Sequence, residues 1–395
     1  MMEPGASSVI TLTPAGKQPR HLGALGHVNG LTYSYANPGG CDQLTCLLQL
    51  PANSRTDALN PGRIVQVMRG GGCVWDGKLQ EPVPGTAGWA VSAVGTGNQG
   101  TDFVAKWTSA WGTNQNDAVD QAITRGLRWT RPSGAIPSGV WFGQVIDSGS
   151  QTITDLLNLF ATKGGYTWYV TTGAAPDGPG SYYGNNVLSV YALPACTLAN
   201  VTRVLVSATP VPRTLGGDYN SLFLRYQVAT DEIPAPTLYS LANVTTAASI
   251  TAHQPLEAYE DLSSTGVQTS GAVTSAGNNI LNRYQRASFG GPFTVRYGEL
   301  LNPGGYPVDL GTDQCGQMVR LILADYGYGG EIVPDPVIFM IGAYEYDDMA
   351  QTAQVTPFQS LDLSFTNMLS ALSTTLQPHP YSHWRGWRGF GGWAG

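Results

Sequence analysis

Turn signals cut the N-terminal quarter of the chain into short pieces, and that punctuation limits the fold more than any other feature. Asn37-Pro38-Gly39-Gly40, Pro51, Asn60-Pro61-Gly62 and Gly70-Gly71-Gly72 interrupt it in close succession. Clusters of Asn, Pro and Gly supply the backbone angles that turns need. Between them lie His27 to Tyr35, which alternates apolar and polar, Leu44 to Leu50, Arg63 to Arg69, Cys73 to Leu79 and Gly88 to Gly95. Alternation in short runs fits strands. Strands at roughly 10- to 15-residue spacing point to a small closed barrel or sandwich. It is expected over residues 22–103, behind an N-terminal arm of residues 1–21.

The period then changes. Asn116 to Ile123 has helical spacing with Asn and Asp at its start. A second helix is better marked: Thr152 and Asp155 form a cap signature, Leu156, Leu157, Leu159 and Phe160 follow, and Gly164-Gly165 ends the run. Tyr166 to Thr172 and Val187 to Leu193 read as strands, so residues 104–200 are expected to form a small α/β domain. Residues 201–375 return to strands: Ser221 to Val228, Phe293 to Tyr297, Met318 to Asp325, Val337 to Tyr346 and Ala353 to Thr356. Val267, Ala272, Val273, Ala276, Ile280 and Leu281 share one face of a helix predicted from Thr265 to Tyr284. Ser360 to Ser373 has the pattern of a terminal amphipathic helix. The expected architecture is mainly β with an α+β insert: two β-barrel domains, the second with a helical insertion, around a small α/β domain.

Composition narrows the function. Lys and Arg number 20 and Asp and Glu 27 in 395 residues, a charged share of 12%. That is about half the usual share. Hydrophobic residues at 42% and aromatics at 10% exclude a solvated coil. A surface so poor in charge points to extensive coverage in an assembly. The net charge of −7 argues against a nucleic-acid groove, which needs a basic stripe. No apolar run reaches the roughly 18 residues of a membrane-spanning helix. Met1-Met2-Glu3-Pro4-Gly5 lacks a secretory leader's basic and apolar regions, so synthesis in the cytoplasm is expected. Five cysteines in so long a chain do not form a disulfide framework.

Signatures of catalysis are sparse. There is no Gly-x-Ser-x-Gly elbow, no phosphate-binding loop and no dinucleotide fingerprint, so no cofactor is expected. Cys41, Cys46, Cys73 and His27 offer zinc-ligand chemistry only if folding gathers them, and a buried free thiol is the commoner fate of a strand cysteine. Two acidic clusters, Glu257/Glu260/Asp261 and Glu345/Asp347/Asp348, have the carboxylates that glycoside hydrolysis uses. In a strand, Glu345 and Asp347 fall on one face and Tyr344 and Tyr346 on the other. The commoner role of such a cluster is the polar end of a strand. Residues 376–395 are distinct: Trp384, Arg385, Trp387, Arg388, Phe390 and Trp393 are separated by glycines. Aromatic and Arg anchors on a Gly-rich tail are candidates for docking a partner.

Arg63 to Arg69, a glycine turn, Val74 to Pro82 and Gly88 to Ala93 resemble the first barrel of tail hub proteins, minor tail proteins of long-tailed bacteriophages. A second block looks like the actinobacterial-phage branch: Glu257 to Leu262, Asn279 to Tyr284, Pro307 to Gly311 and Phe339 to Asp347. The resemblance implies two barrels plus smaller α/β domains, assembled as a homotrimer that docks on the tail tube or distal tail ring protein. It implies a virion location at the distal tail tip, with the tape-measure protein and other tail-tip proteins as partners. A glycan-binding or glycan-hydrolysing tail-tip protein, or a hexameric distal tail ring protein, are the rival readings.

Overall fold

Glycine geometry sets the first hairpins. Gly70 and Gly71 sit at φ 57° and 83° between paired Arg69 and Gly72. A two-residue hairpin turn with both central residues at positive φ matches the right-handed strand twist, and glycine adopts it without strain. The computed structural model describes residues 6–50, 57–107, 115–137, 149–172, 186–206, 213–214, 219–229, 238–246, 255–263, 266–284, 288–289, 292–322 and 337–358. The expected helix at 360–373 and the tail at 376–395 lie outside them.

The N-terminal strands are β1 (Ser8–Leu12), β2 (His27–Ala36), β3 (Gly39–Gln49), β4 (Ile64–Arg69), β5 (Gly72–Leu79) and β6 (Gly88–Gly95). They pair antiparallel in the order β2-β3-β6-β5-β4-β1. β1 comes from the stretch expected as an arm; its Val9, Ile10 and Leu12 are buried. β3 begins earlier than its apolar run. Gly39 and Gly40 at its start pair with Tyr169 and Val170 of a neighbouring strand, and a Cβ on Gly40 would collide with the Val170 carbonyl.

Next come α1 (Gln115–Thr124), α2 (Ile153–Gly164), β7 (Tyr166–Thr171) and β8 (Val187–Ala192). α2 starts and ends as the sequence predicts: Thr152 and Asp155 form a reciprocal capping box, and Gly165 closes the helix in the left-handed region. Leu156, Phe160, Trp129 and Trp168 centre this unit's core.

The remainder contributes β9 (Arg203–Leu205), β10 (Ser221–Val228), β11 (Leu238–Thr245), β12 (Glu257–Asp261), α3 (Ser270–Tyr284), β13 (Phe293–Arg296), β14 (Leu300–Leu301), β15 (Met318–Leu321), β16 (Val337–Asp347) and β17 (Thr352–Pro357). α3 starts later than its apolar pattern. The Thr269 hydroxyl accepts from the Ala272 amide, while Val267 is drawn off to bridge Gln227. Val273, Ala276, Ile280 and Leu281 are buried as expected.

The two expected barrels are corrected. Among the described residues the pairing traces one branched 16-stranded sheet, whose path runs open from β14 through β9, β15, β16 and β2 to β1 and Arg20–His21. β16 makes the join. Its first half pairs with β15 and its second half with β2 and β17, across a register shift at Gly342. Alternation tells which face of a strand is buried but not which strand lies beside it, so two sets of strands in sequence read as two barrels.

Four tyrosines fill the seam between β2 and β16. Tyr33 lies opposite Tyr346 and Tyr35 opposite Tyr344, with ring centroids 5.3 and 6.3 Å apart. Each hydroxyl donates to an acceptor: Tyr33 to the Gly311 carbonyl, Tyr35 to Val74, Tyr344 to Leu310 and Tyr346 to the Gln351 side chain. Buried phenols need such partners. Apart from this sheet, β11-β10-β12 form a three-stranded sheet with α3 against one face.

Candidate functional site

Strand alternation and one turn take the Glu345/Asp347/Asp348 cluster apart. Glu345 points to the exposed face of β16, opposite the buried Tyr344 and Tyr346. Asp347 Oδ1 accepts from the Met349 and Ala350 amides, both at 2.9 Å, and so shapes the β16–β17 turn. Asp348 Oδ1 accepts from Arg69 Nη1 and from the Ser7 hydroxyl, each at 2.7 Å. Arg69 is the centre of that group. Its side chain is fully buried, its Nε also donates to both Asp309 oxygens, and its guanidinium sits 5.1 Å from the Tyr346 ring centre. Burial would lower the guanidinium's pKa, but the Asp309 bonds and neighbouring tyrosines hold it above its ordinary value.

Glu257, Glu260 and Asp261 lie on β12, where alternation sends Glu260 to the face opposite the other two. Asp261 approaches Arg225 at 3.6 Å and accepts from the Ser263 amide at 2.7 Å. Partial burial works against its charge, yet the Ser263 bonds and Arg225 outweigh that and hold the carboxyl below its usual range.

The cysteines take the apolar course. Cys41, Cys46, Cys73 and Cys315 are buried, Cys196 is half-buried, and all are free thiols. Burial pushes the Cys41 and Cys46 thiols up to about 12. His27 is exposed at the start of β2. Among the described residues, no three His, Cys, Asp or Glu side chains converge where they could hold a metal. The candidate docking residues Trp384, Arg385, Trp387, Arg388, Phe390 and Trp393 lie outside the described residues.

Sequence reasoning missed the buried ion pairs that lock distant segments. Asp76, with no exposed side-chain area, accepts from Arg128 Nη2 at 2.7 and 2.8 Å and from Gln66 Nε2 at 2.8 Å, fastening the N-terminal strands to the α/β unit. Arg203 grips Asp313 at 2.8 and 3.1 Å. Burial raises the Asp313 carboxyl's pKa, against the opposing pull of Arg203. One signal existed: an acid inside Val74-Trp75-Asp76-Gly77, directly after two large apolar residues on a strand, needs a buried partner.

Two surface features remain. A groove of about 310 Å³ runs over β2, β3, β16 and β17, lined by Thr32, Ser34, Asp42, Gln43, Glu345 and Gln354. Exposed apolar side chains gather elsewhere. Of the large hydrophobic residues exposed among the described residues, Leu238, Tyr239, Leu241, Leu256, Tyr259 and Val267 belong to the three-stranded sheet or its flanks. Val83, Val104, Leu198, Val206, Tyr306 and Met349 are spread over the rest.

The fold has known counterparts. The prophage tail protein gp18 from Listeria monocytogenes EGD-e superposes with a TM-score of 0.55 at 11% identity, over 93% of this chain and 99% of that one. The 43 kDa tail protein of prophage MuSo2 from Shewanella oneidensis gives 0.52 at 14% identity, over 89% and 98%. A tail protein from Neisseria meningitidis MC58 gives 0.53 at 12% identity, over 89% and 96%. The chain has the fold of these tail proteins. No protein family matches the sequence, and no curated protein matches it.

Proposed function

We propose that the chain is a structural virion protein of a bacteriophage tail: a homotrimeric hub at the distal end of the tail tube that closes the channel and anchors tail-tip proteins. One observation carries the reading. The correspondence with a prophage tail protein extends over 93% of this chain and 99% of that one, so the likeness is of whole architectures rather than of one common motif. The charged share of 12% supports it, because surfaces buried between subunits are depleted of charge. On this reading the tube or distal tail ring protein lies on one side and the tape-measure protein and tip proteins on the other. The Trp384–Trp393 stretch is then a docking segment. The reading assigns the chain no catalytic step and no cofactor.

The test is imaging of particles made with and without the gene, combined with the solution mass of the purified chain. Loss of the tail tip and a three-chain mass are expected. Normal tips without the gene would overturn the reading, and a six-chain mass would move the protein to the distal tail ring. Release of reducing ends from host cell-wall polysaccharide by the purified chain would refute a purely structural role.

A further inference from the structure

We infer that Arg63, Arg20 and Thr11 form a binding site for an oxyanion, a carboxylate or a phosphate group, at one end of the N-terminal strands. Two arginines are buried among the described residues, Arg69 at 2% exposure and Arg63 at 6%. Arg69 is neutralised by Asp309 and Asp348. Arg63 is not. Among the described residues its side chain makes one hydrogen bond, from Nη2 to the Gln18 carbonyl at 3.1 Å, and no ion pair. Its Nε is buried and has no acceptor there. A buried charge is costly unless it is paired and hydrogen-bonded, so this guanidinium calls for an anion.

Register puts a second unpartnered group beside it. Thr11 of β1 lies opposite Val65 of β4 on one side and opposite Arg20 on the other, so all three share one face. Arg63, two residues before Val65, falls on that face one rung further along. The Thr11 hydroxyl is fully buried and, among the described residues, has no hydrogen-bond partner.

Charge here has one prevailing sign. Residues 8–22 and 57–66 hold Lys17, Arg20 and Arg63 but a single acid, Asp57. Asp57 approaches Arg20 at 3.9 Å, with both side chains more than half exposed, and forms no ion pair with Arg63. In a chain of net charge −7, this local excess of cations is set against the overall balance. A guanidinium fork matches the paired oxygens of a carboxylate or phosphate. Arg63 Nε and the Thr11 hydroxyl each have a proton to give such an oxygen, and the exposed Arg20 reaches it from the solvent side. A neutral molecule would take the two hydrogen bonds and leave the buried charge uncompensated.

The experiment is calorimetry of the whole chain in sodium chloride, sodium acetate or sodium phosphate of equal ionic strength near neutral pH. Wild type is compared with Thr11→Val, Arg20→Gln and Arg63→Met, with far-UV circular dichroism as the check on folding. Wild type is expected to melt about 2 °C or more higher in saturating acetate or phosphate than in chloride. Each variant is expected to lose most of that gain. If Arg63→Met fails to fold, the isosteric Thr11→Val and the exposed Arg20→Gln carry the test. A gain from acetate assigns a carboxylate to the site, and a gain from phosphate alone assigns a phosphate. No gain over chloride in wild type would overturn the site. So would a gain of equal size in every variant, because salts excluded from the protein surface stabilise folded chains without binding them.

Discussion

Arg69 Nη1 donates to Asp348 Oδ1 at 2.7 Å across 279 residues of chain, with Asp309 on the same guanidinium. One buried cation thus fastens the β4–β5 hairpin to the β16–β17 turn and to the 310–312 segment. Arg69→Met would leave two carboxylates facing a site from which the charge is gone. Removing one partner of a buried pair costs about 3–5 kcal/mol. Asp309 and Asp348 retain 28% and 24% exposure, so water recovers part of that. A loss of about 2–3 kcal/mol is expected in denaturant unfolding. Asp348→Asn should cost less, since Asp309 still holds the guanidinium. A loss below about 1 kcal/mol for Arg69→Met would show that solvent screens the group as it screens surface pairs.

The tyrosine seam makes a graded prediction. The Tyr35 hydroxyl donates to the buried Val74 carbonyl at 2.6 Å, and Tyr35→Phe strands that carbonyl without a donor. The expected cost is about 1–2 kcal/mol. The Tyr346 hydroxyl donates instead to the Gln351 side chain, which can turn to water. Tyr346→Phe is expected to cost less than Tyr35→Phe. Melting of both variants against wild type checks the order, and equal losses would refute it.

Gly77 makes a steric prediction. A Cβ there would strike the Trp75 ring and the Val94 carbonyl of the paired strand, and neither can yield without moving the core. Gly77→Ala is expected to destabilise by about 1–3 kcal/mol, the usual range for overpacking. Gly70→Ala meets nothing within 4 Å, and its φ of 57° is its one obstacle. The smaller loss should be at Gly70. A neutral Gly77→Ala variant in calorimetry would sink the argument.

How much of this was legible in the sequence depends on the range of the interaction. The capping box at Thr152 and Asp155 and the Gly165 stop are local, and the helix falls where they place it. So do the hairpin at Gly70-Gly71 and the burial of Tyr344 and Tyr346 opposite Glu345. What stayed hidden is long-range. Nothing in β16 announces that it pairs with β2, because the same alternation would serve a barrel among its sequence neighbours. The acidic cluster at 345–348 reads as a reactive group only while Arg69 and the turn amides are out of sight. β11 was missed for a related reason: its exposed leucines and tyrosine break the inward–outward alternation by which a half-buried strand is recognised.

The buried thiols predict alkaline lability. Burial pushes Cys41 and Cys46 up to about 12 from an unfolded value of 9.0, and Cys73 and Cys315 rise in the same direction. Between those values the folded chain holds protons that the unfolded chain has released. A pKa raised on folding contributes stability that is fully present below the unfolded value and lost as pH climbs through the folded one. The melting temperature should therefore be insensitive to these thiols below pH 9 and fall because of them between about pH 9 and 12. Tyrosines titrate in the same range, so the cysteine share is read as a difference: Cys46→Ala should flatten the fall without changing its onset. A thiol reagent adds a second measurement. In the native chain at pH 8 only the half-buried Cys196 is expected to react, and the four buried thiols only on unfolding. Rapid labelling of all five in the folded protein, or a Cys46→Ala profile parallel to wild type from pH 8 to 12, would contradict the burial that places these cysteines in the core.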